Sequence, residues 1–162
     1  LSCSFCDTIH FSKTLMSDED IVDTIRKYPA RMIILTGGEP GIYVTEELVD
    51  RLHKEGKYVA IETNGTFELP ENIDWITLSP KDLYCKTADI KLKKCDELKL
   101  VYQGQPDIDK YLQFPSQKYY LQPCDYRNDI KNANNMKMLV RYCLYHPEWN
   151  ISIQLHKILN VR

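Results

Sequence analysis

The chain has 162 residues, 43 % apolar and 27 % charged, which is ordinary for a soluble globular protein and excludes disordered and fibrous classes. Its 21 basic and 23 acidic side chains give a formal net charge of −2, so composition offers no broad cationic face for nucleic acid. No apolar run approaches the roughly 18 residues of a membrane span. Residues 1–10 lack the charged flank and apolar core of an export signal, so a cytoplasmic, membrane-free protein with a single domain over residues 1–162 is expected.

The predicted elements alternate. Ser17 caps a first helix with Asp20 three residues on; Ile21, Val22, Ile25 and Tyr28 share its apolar face and Pro29 stops it. Arg31–Thr36 contains Met-Ile-Ile-Leu, a run that predicts a strand buried on both faces and ending in Gly37-Gly38. Thr45 caps a second helix with Leu48, Val49 and Leu52 on one side and Gly56 at its left-handed end. Lys57–Glu62 reads as a strand closed by the Asn64-Gly65 turn, and Asp74–Leu78 as another ended by Ser79-Pro80.

A lysine-rich helix is expected over 87–95, a strand over Glu97–Tyr102, a short helix opened by proline over Pro106–Gln113 and a strand over Lys118–Gln122. The longest helix, 129–145, is expected to bury Met136, Leu139, Val140, Cys143 and Leu144, and Ile151–Leu155 to form a last strand. Strands alternating with helices through short connections imply an α/β fold with a mostly parallel sheet, as an open doubly wound sheet or a partial barrel. Ligands of such folds gather beyond the carboxyl ends of the strands. Four such ends carry unusual residues: Thr36–Pro40, Glu62–Gly65, Ser79–Lys81 and Gln122–Asp125.

Of six cysteines, at 3, 6, 85, 95, 124 and 143, only Cys3 and Cys6 are paired in sequence, as Cys-x-x-Cys. By spacing alone that pair suits an iron–sulfur cluster, half a zinc site or a redox couple about equally. The other four fit small buried apolar residues. Gly37-Gly38 let a ligand approach the backbone closely, Glu39 adds an acceptor and Pro40 fixes the turn. Taken alone, this is also an ordinary turn with a solvated acid. No Gly-Lys-Ser/Thr follows, so it is not a phosphate cradle.

Together, Cys3–Thr8, Leu35–Pro40, Glu62–Thr66, Leu78–Lys81, Leu121–Asp125 and Gln154–Lys157 resemble, in order, the radical S-adenosylmethionine (SAM) superfamily and, within it, the 7-carboxy-7-deazaguanine synthases of queuosine biosynthesis. The resemblance implies a partial (β/α)₆ barrel of the radical SAM type lacking its first strand. The superfamily's triad is Cys-x-x-x-Cys-x-x-Cys, and its first cysteine would lie two residues before Leu1. The family's opening strand, a Gln-Gly-Glu-Gly segment and an arginine are absent too. The expectation is an amino-terminally shortened member with weak cluster retention.

The resemblance further implies a 4Fe–4S cluster on Cys3 and Cys6 and SAM on Phe5, Cys6, Asp7, Gly38, Glu39, Ser79, Lys81, Gln122 and Asp125. It implies Mg²⁺ on Thr8, where a hydroxyl and a substrate carboxylate suit a hard cation. Thr36 and His156 are candidates for substrate. The implied reaction takes 6-carboxy-5,6,7,8-tetrahydropterin to 7-carboxy-7-deazaguanine with loss of ammonia, the radical being carried by the cofactor, so that no protein side chain is assigned as catalytic. An electron donor such as flavodoxin, a homodimer and no nucleic-acid partner are implied as well. Without the resemblance, Lys81 would read as a surface lysine, Asp125 as a turn residue, Thr8 as a loop hydroxyl and His156 as a surface histidine. Two other functions are weighed against it: a radical SAM activase that makes a glycyl radical on a partner protein, and a non-catalytic zinc or thiol module.

Overall fold

The computed structural model describes residues 1, 5–6 and 15–159. They fall into two compact units, Leu1–Leu92 and Lys93–Arg162.

The first unit runs α1 (Asp18–Arg26), β1 (Met32–Leu35), α2 (Glu46–Lys54), β2 (Tyr58–Thr63) and β3 (Trp75–Leu78). Helix α1 opens on a capping box: the Ser17 hydroxyl accepts from the Asp20 amide and the Asp20 carboxyl from the Ser17 amide, both at 3.2 Å. Thr45 caps α2 by accepting from the Leu48 amide at 3.2 Å. Gly56, at φ +71°, ends it: its amide donates to His53 O and the Lys57 amide to Leu52 O, closing the last turn as a left-handed cap does.

The strands pair in parallel, β1 with β2 (Leu35 opposite Ile61) and β2 with β3 (Thr63 opposite Leu78), so their carboxyl ends share one rim. Val22, Leu48, Val49, Leu52 and Val59 form the core between the helices and the sheet, with Ile33 and Leu35 packed on it. The alternate residues Met32 and Ile34 are 55 % and 54 % exposed, so β1 buries one face only and the expectation of two fails. A run of four apolar residues does not reveal how many faces are covered; neighbours decide that.

The second unit runs β4 (Glu97–Tyr102), a 3₁₀ segment (Ile108–Gln113), β5 (Lys118–Pro123), α3 (Asp129–Tyr145), β6 (Asn150–Ile151) and α4 (Leu155–Ile158). Strands β4 and β5 pair in parallel over six residues, and β5 pairs with β6 over two. Leu98, Leu100, Ile108, Leu121, Leu139 and Trp149 make the core.

Four expectations are corrected here. Residues 87–95 are turns and coil, because their amides bond elsewhere: Lys91 N donates to Gly65 O and Cys95 N to Pro115 O. Pro106 stays outside the following segment, which starts after Asp107 at φ +60° and winds as 3₁₀ rather than α. Helix α3 has the expected bounds, but its inner stripe includes buried Asn135 and half-buried Met136 and Cys143, while Val140 and Leu144 lie on the exposed side at 41 % and 76 %. The last strand keeps only Asn150–Ile151, and 155–158 turns into α4.

Candidate functional site

In the first unit the three carboxyl ends carry Gly37–Pro40, Thr63–Gly65 and Ser79–Lys81. Gly37 has φ +136°, a conformation side chains rarely adopt, and a Cβ there would meet nothing within 4 Å. Thr36, Gly37 and Gly38 are exposed, whereas Glu39 is only 9 % exposed. Its Oε1 accepts from the Thr63 hydroxyl at 2.6 Å and the Gly41 amide at 3.0 Å, and its Oε2 from the Asn64 amide at 2.7 Å. Glu39 also caps the 3₁₀ turn Pro40–Ile42. The acid thus belts the end of β1 to the end of β2. It is not the solvated glutamate that an isolated Gly-Gly-Glu-Pro would suggest.

The network continues to β3. Ser79 N donates to Thr63 O at 2.7 Å, and Lys81 Nζ donates to the Ser79 hydroxyl at 2.6 Å. Tyr84 N donates to Lys81 O at 2.9 Å, and the Tyr84 ring meets Phe5 edge-on with centroids 4.8 Å apart. Phe5 stands beside the exposed Cys6. One connected set of contacts therefore runs from Phe5, next to Cys6 in sequence, to Glu39 after the glycine turn. Cys3, Asp7 and Thr8 lie outside the described residues.

The second unit carries Gln122, half-buried on β5 opposite Val101, then Cys124 and Asp125. Asp125 accepts from Lys157 Nζ at 2.7 Å, from the Arg127 amide at 2.8 Å and from Asn132 Nδ2 at 3.0 Å. The Lys157 ammonium, followed by those two neutral donors, holds its carboxyl down to about 2. His156 is exposed on α4 and lies beyond the strand end where it was expected. Burial pushes the Cys124 and Cys143 thiols up, consistent with packing roles. Lower down, Asp109 accepts from Tyr142 at 2.7 Å and Trp149 at 2.9 Å.

Sequence reading missed Thr63, Tyr84 and the role of Lys157 as the partner of Asp125. Thr63 stood inside the quoted Glu-Thr-Asn-Gly, but a hydroxyl at a strand end reads as β propensity or turn chemistry until its acceptor is seen. Tyr84 carried no sequence signal.

Thiols at Cys-x-x-Cys spacing suit an iron–sulfur cluster, and the exposed Gly37-Gly38 backbone is open to a ligand. The Radical SAM superfamily model matches residues 1–113. A 7-carboxy-7-deazaguanine synthase of Bacteroides thetaiotaomicron is 46 % identical over 162 residues, spanning 100 % of this chain and 82 % of the relative. Another synthase of that name, from Bradyrhizobium diazoefficiens, is 37 % identical over 175 residues, spanning 99 % and 79 %. The crystal structure of QueE from Escherichia coli superimposes with TM-score 0.70 at 26 % identity, covering 94 % of this chain and 79 % of that one.

Proposed function

We propose, from the premise that this chain belongs to the radical SAM superfamily and to its 7-carboxy-7-deazaguanine synthase family, that it converts 6-carboxy-5,6,7,8-tetrahydropterin to 7-carboxy-7-deazaguanine with loss of ammonia, for queuosine biosynthesis. The fold class is the partial barrel of that superfamily. Family likeness spans both units, which supports treating residues 1–162 as one catalytic domain.

In this reading Cys3 and Cys6 hold a 4Fe–4S cluster, and SAM lies against Phe5, Asp7, Gly38, Glu39, Ser79, Lys81, Gln122 and Asp125. When bound, the two groups supply reductive cleavage of a carbon–sulfur bond and with it the hydrogen abstraction that begins ring contraction. The chain's own work is binding, orientation and the exclusion of water. Exposed glycine backbone offers carbonyls and amides at close approach. Lys81, tethered to Ser79, presents a cation to carboxylate or ribose oxygens. Thr8 offers a hydroxyl to Mg²⁺ and the substrate carboxylate. Thr36, one residue before the glycine turn, and His156 on α4 are the candidates for binding the pterin. The functional form is a cytoplasmic homodimer that takes electrons from a donor such as flavodoxin. It acts on a small molecule and not on nucleic acid. Among the described residues no helix is long and apolar enough to cross a membrane.

The observation that supports this reading is the network from Phe5, the neighbour of Cys6, through Tyr84, Lys81, Ser79 and Thr63 to Glu39. Anaerobic reconstitution of the full-length protein, reduction and incubation with the pterin, SAM and Mg²⁺ test it. The expected result is 7-carboxy-7-deazaguanine by mass spectrometry, and none from a cluster-loaded sample would overturn the assignment.

A further inference from the structure

We propose that Thr63 is a positioning residue for SAM. Its hydroxyl fixes Glu39, and Glu39 fixes the backbone shelf that receives the ligand. This rests on the assignment of the Gly37-Gly38 turn to SAM made above.

Thr63 is 3 % exposed at the end of β2. Its oxygen accepts from the Gly65 amide at 3.0 Å, so its own proton is directed elsewhere, onto Glu39 Oε1 at 2.6 Å. Gly65 is held in place in turn: its φ is +80°, and a Cβ there would stand 2.5 Å from Leu78 Cδ1. The amide, the hydroxyl and the acid therefore form a directed relay from the end of β2 to the turn after β1. The Gly41 and Asn64 amides complete the set of donors on Glu39.

An acid gripped by three inward donors works by shaping the loop it belongs to. Its neighbours Gly37 and Gly38 are exposed and carry no side chain, so recognition of a ligand there falls to their backbone atoms. Thr63, buried behind Glu39, does not reach that ligand. Without its hydroxyl, Glu39 Oε1 keeps only the Gly41 amide among these partners, and the Gly65 amide loses its acceptor. A buried donor left unmet makes the loop favour other conformations. Binding at the shelf then costs the free energy of restoring it.

The test uses the cluster-reconstituted full-length protein and equilibrium dialysis with labelled SAM. Thr63→Val keeps the β-branched shape and removes the hydroxyl; Thr63→Ser keeps the hydroxyl. The expectation for Thr63→Val is SAM binding weakened about tenfold, as for one lost buried hydrogen bond. KM for SAM should rise in step, with kcat at saturating SAM and KM for the pterin within about twofold of wild type. Thr63→Ser should restore affinity to within about twofold. Circular dichroism and iron content matching wild type certify the fold. Should Thr63→Val fail to fold, Thr63→Cys, of similar volume but a weak donor, should show the same loss in smaller measure.

Wild-type affinity in Thr63→Val, or in Thr63→Cys where that variant stands in, would overturn the inference. So would equal losses in the Val and Ser variants, or a loss confined to kcat. If the wild-type full-length protein, loaded with cluster, binds no SAM, the assignment of the shelf falls and takes the inference with it; normal wild-type binding beside an unaffected Thr63→Val sinks the inference alone.

Discussion

Gly65 has two independent reasons to be glycine, a positive φ and a side-chain neighbour inside contact distance. Gly65→Ala should therefore cost about 1–3 kcal/mol, read as a lower urea midpoint with an unchanged slope. Asp125 makes a different prediction. Its folded pKa of about 2 lies below the ordinary 3.8, so the stability it contributes is complete above about pH 4 and is lost as pH falls toward 2. Asp125→Asn should flatten the acid limb of a stability–pH curve in that window, and an unchanged limb would show that other carboxyls dominate.

At the scale of elements, Asn135 is the least expected participant in α3. It is buried on the inner stripe and donates to Tyr102 O at 2.9 Å, fastening the helix to the end of β4. Asn135→Leu should destabilise by about 1 kcal/mol despite its greater apolarity, because the tie from α3 is lost and the Tyr102 carbonyl keeps the Cys124 amide alone; chemical denaturation measures it. This also explains what sequence could and could not convey. The Ser17–Asp20 capping box, the Thr45 cap, the Gly56 stop and the bounds of β4 and α3 were legible because they depend on neighbours in the chain. The inner face of α3 was not, since its stripe is chosen by what it packs against and includes a polar residue. Residues 87–95 had helical composition, yet Lys91 and Cys95 give their amides to distant carbonyls. The glycine shelf and the thiols were visible as motifs; the Thr63 and Tyr84 links between them needed three dimensions.

At the scale of the whole molecule, fold stability and cofactor loading should separate. Cys6 is exposed and lies in no packed core, so Cys6→Ala should change the unfolding free energy by no more than about 0.5 kcal/mol. Iron bound after anaerobic reconstitution should nevertheless collapse, by colorimetric assay and by loss of broad visible absorbance. Retained iron would remove Cys6 from the ligand set. The ion pair between Lys157 and Asp125 has a consequence for handling the protein. It bridges 32 positions of sequence, and its cation sits on the short exposed helix α4. A protease that trimmed the chain after Ile153 would strip Asp125 of its positive neighbour while sparing every strand. Such clipped material would unfold at lower urea than the intact chain in neutral buffer, and the gap should close as pH falls toward 2, where the intact chain loses the same contribution.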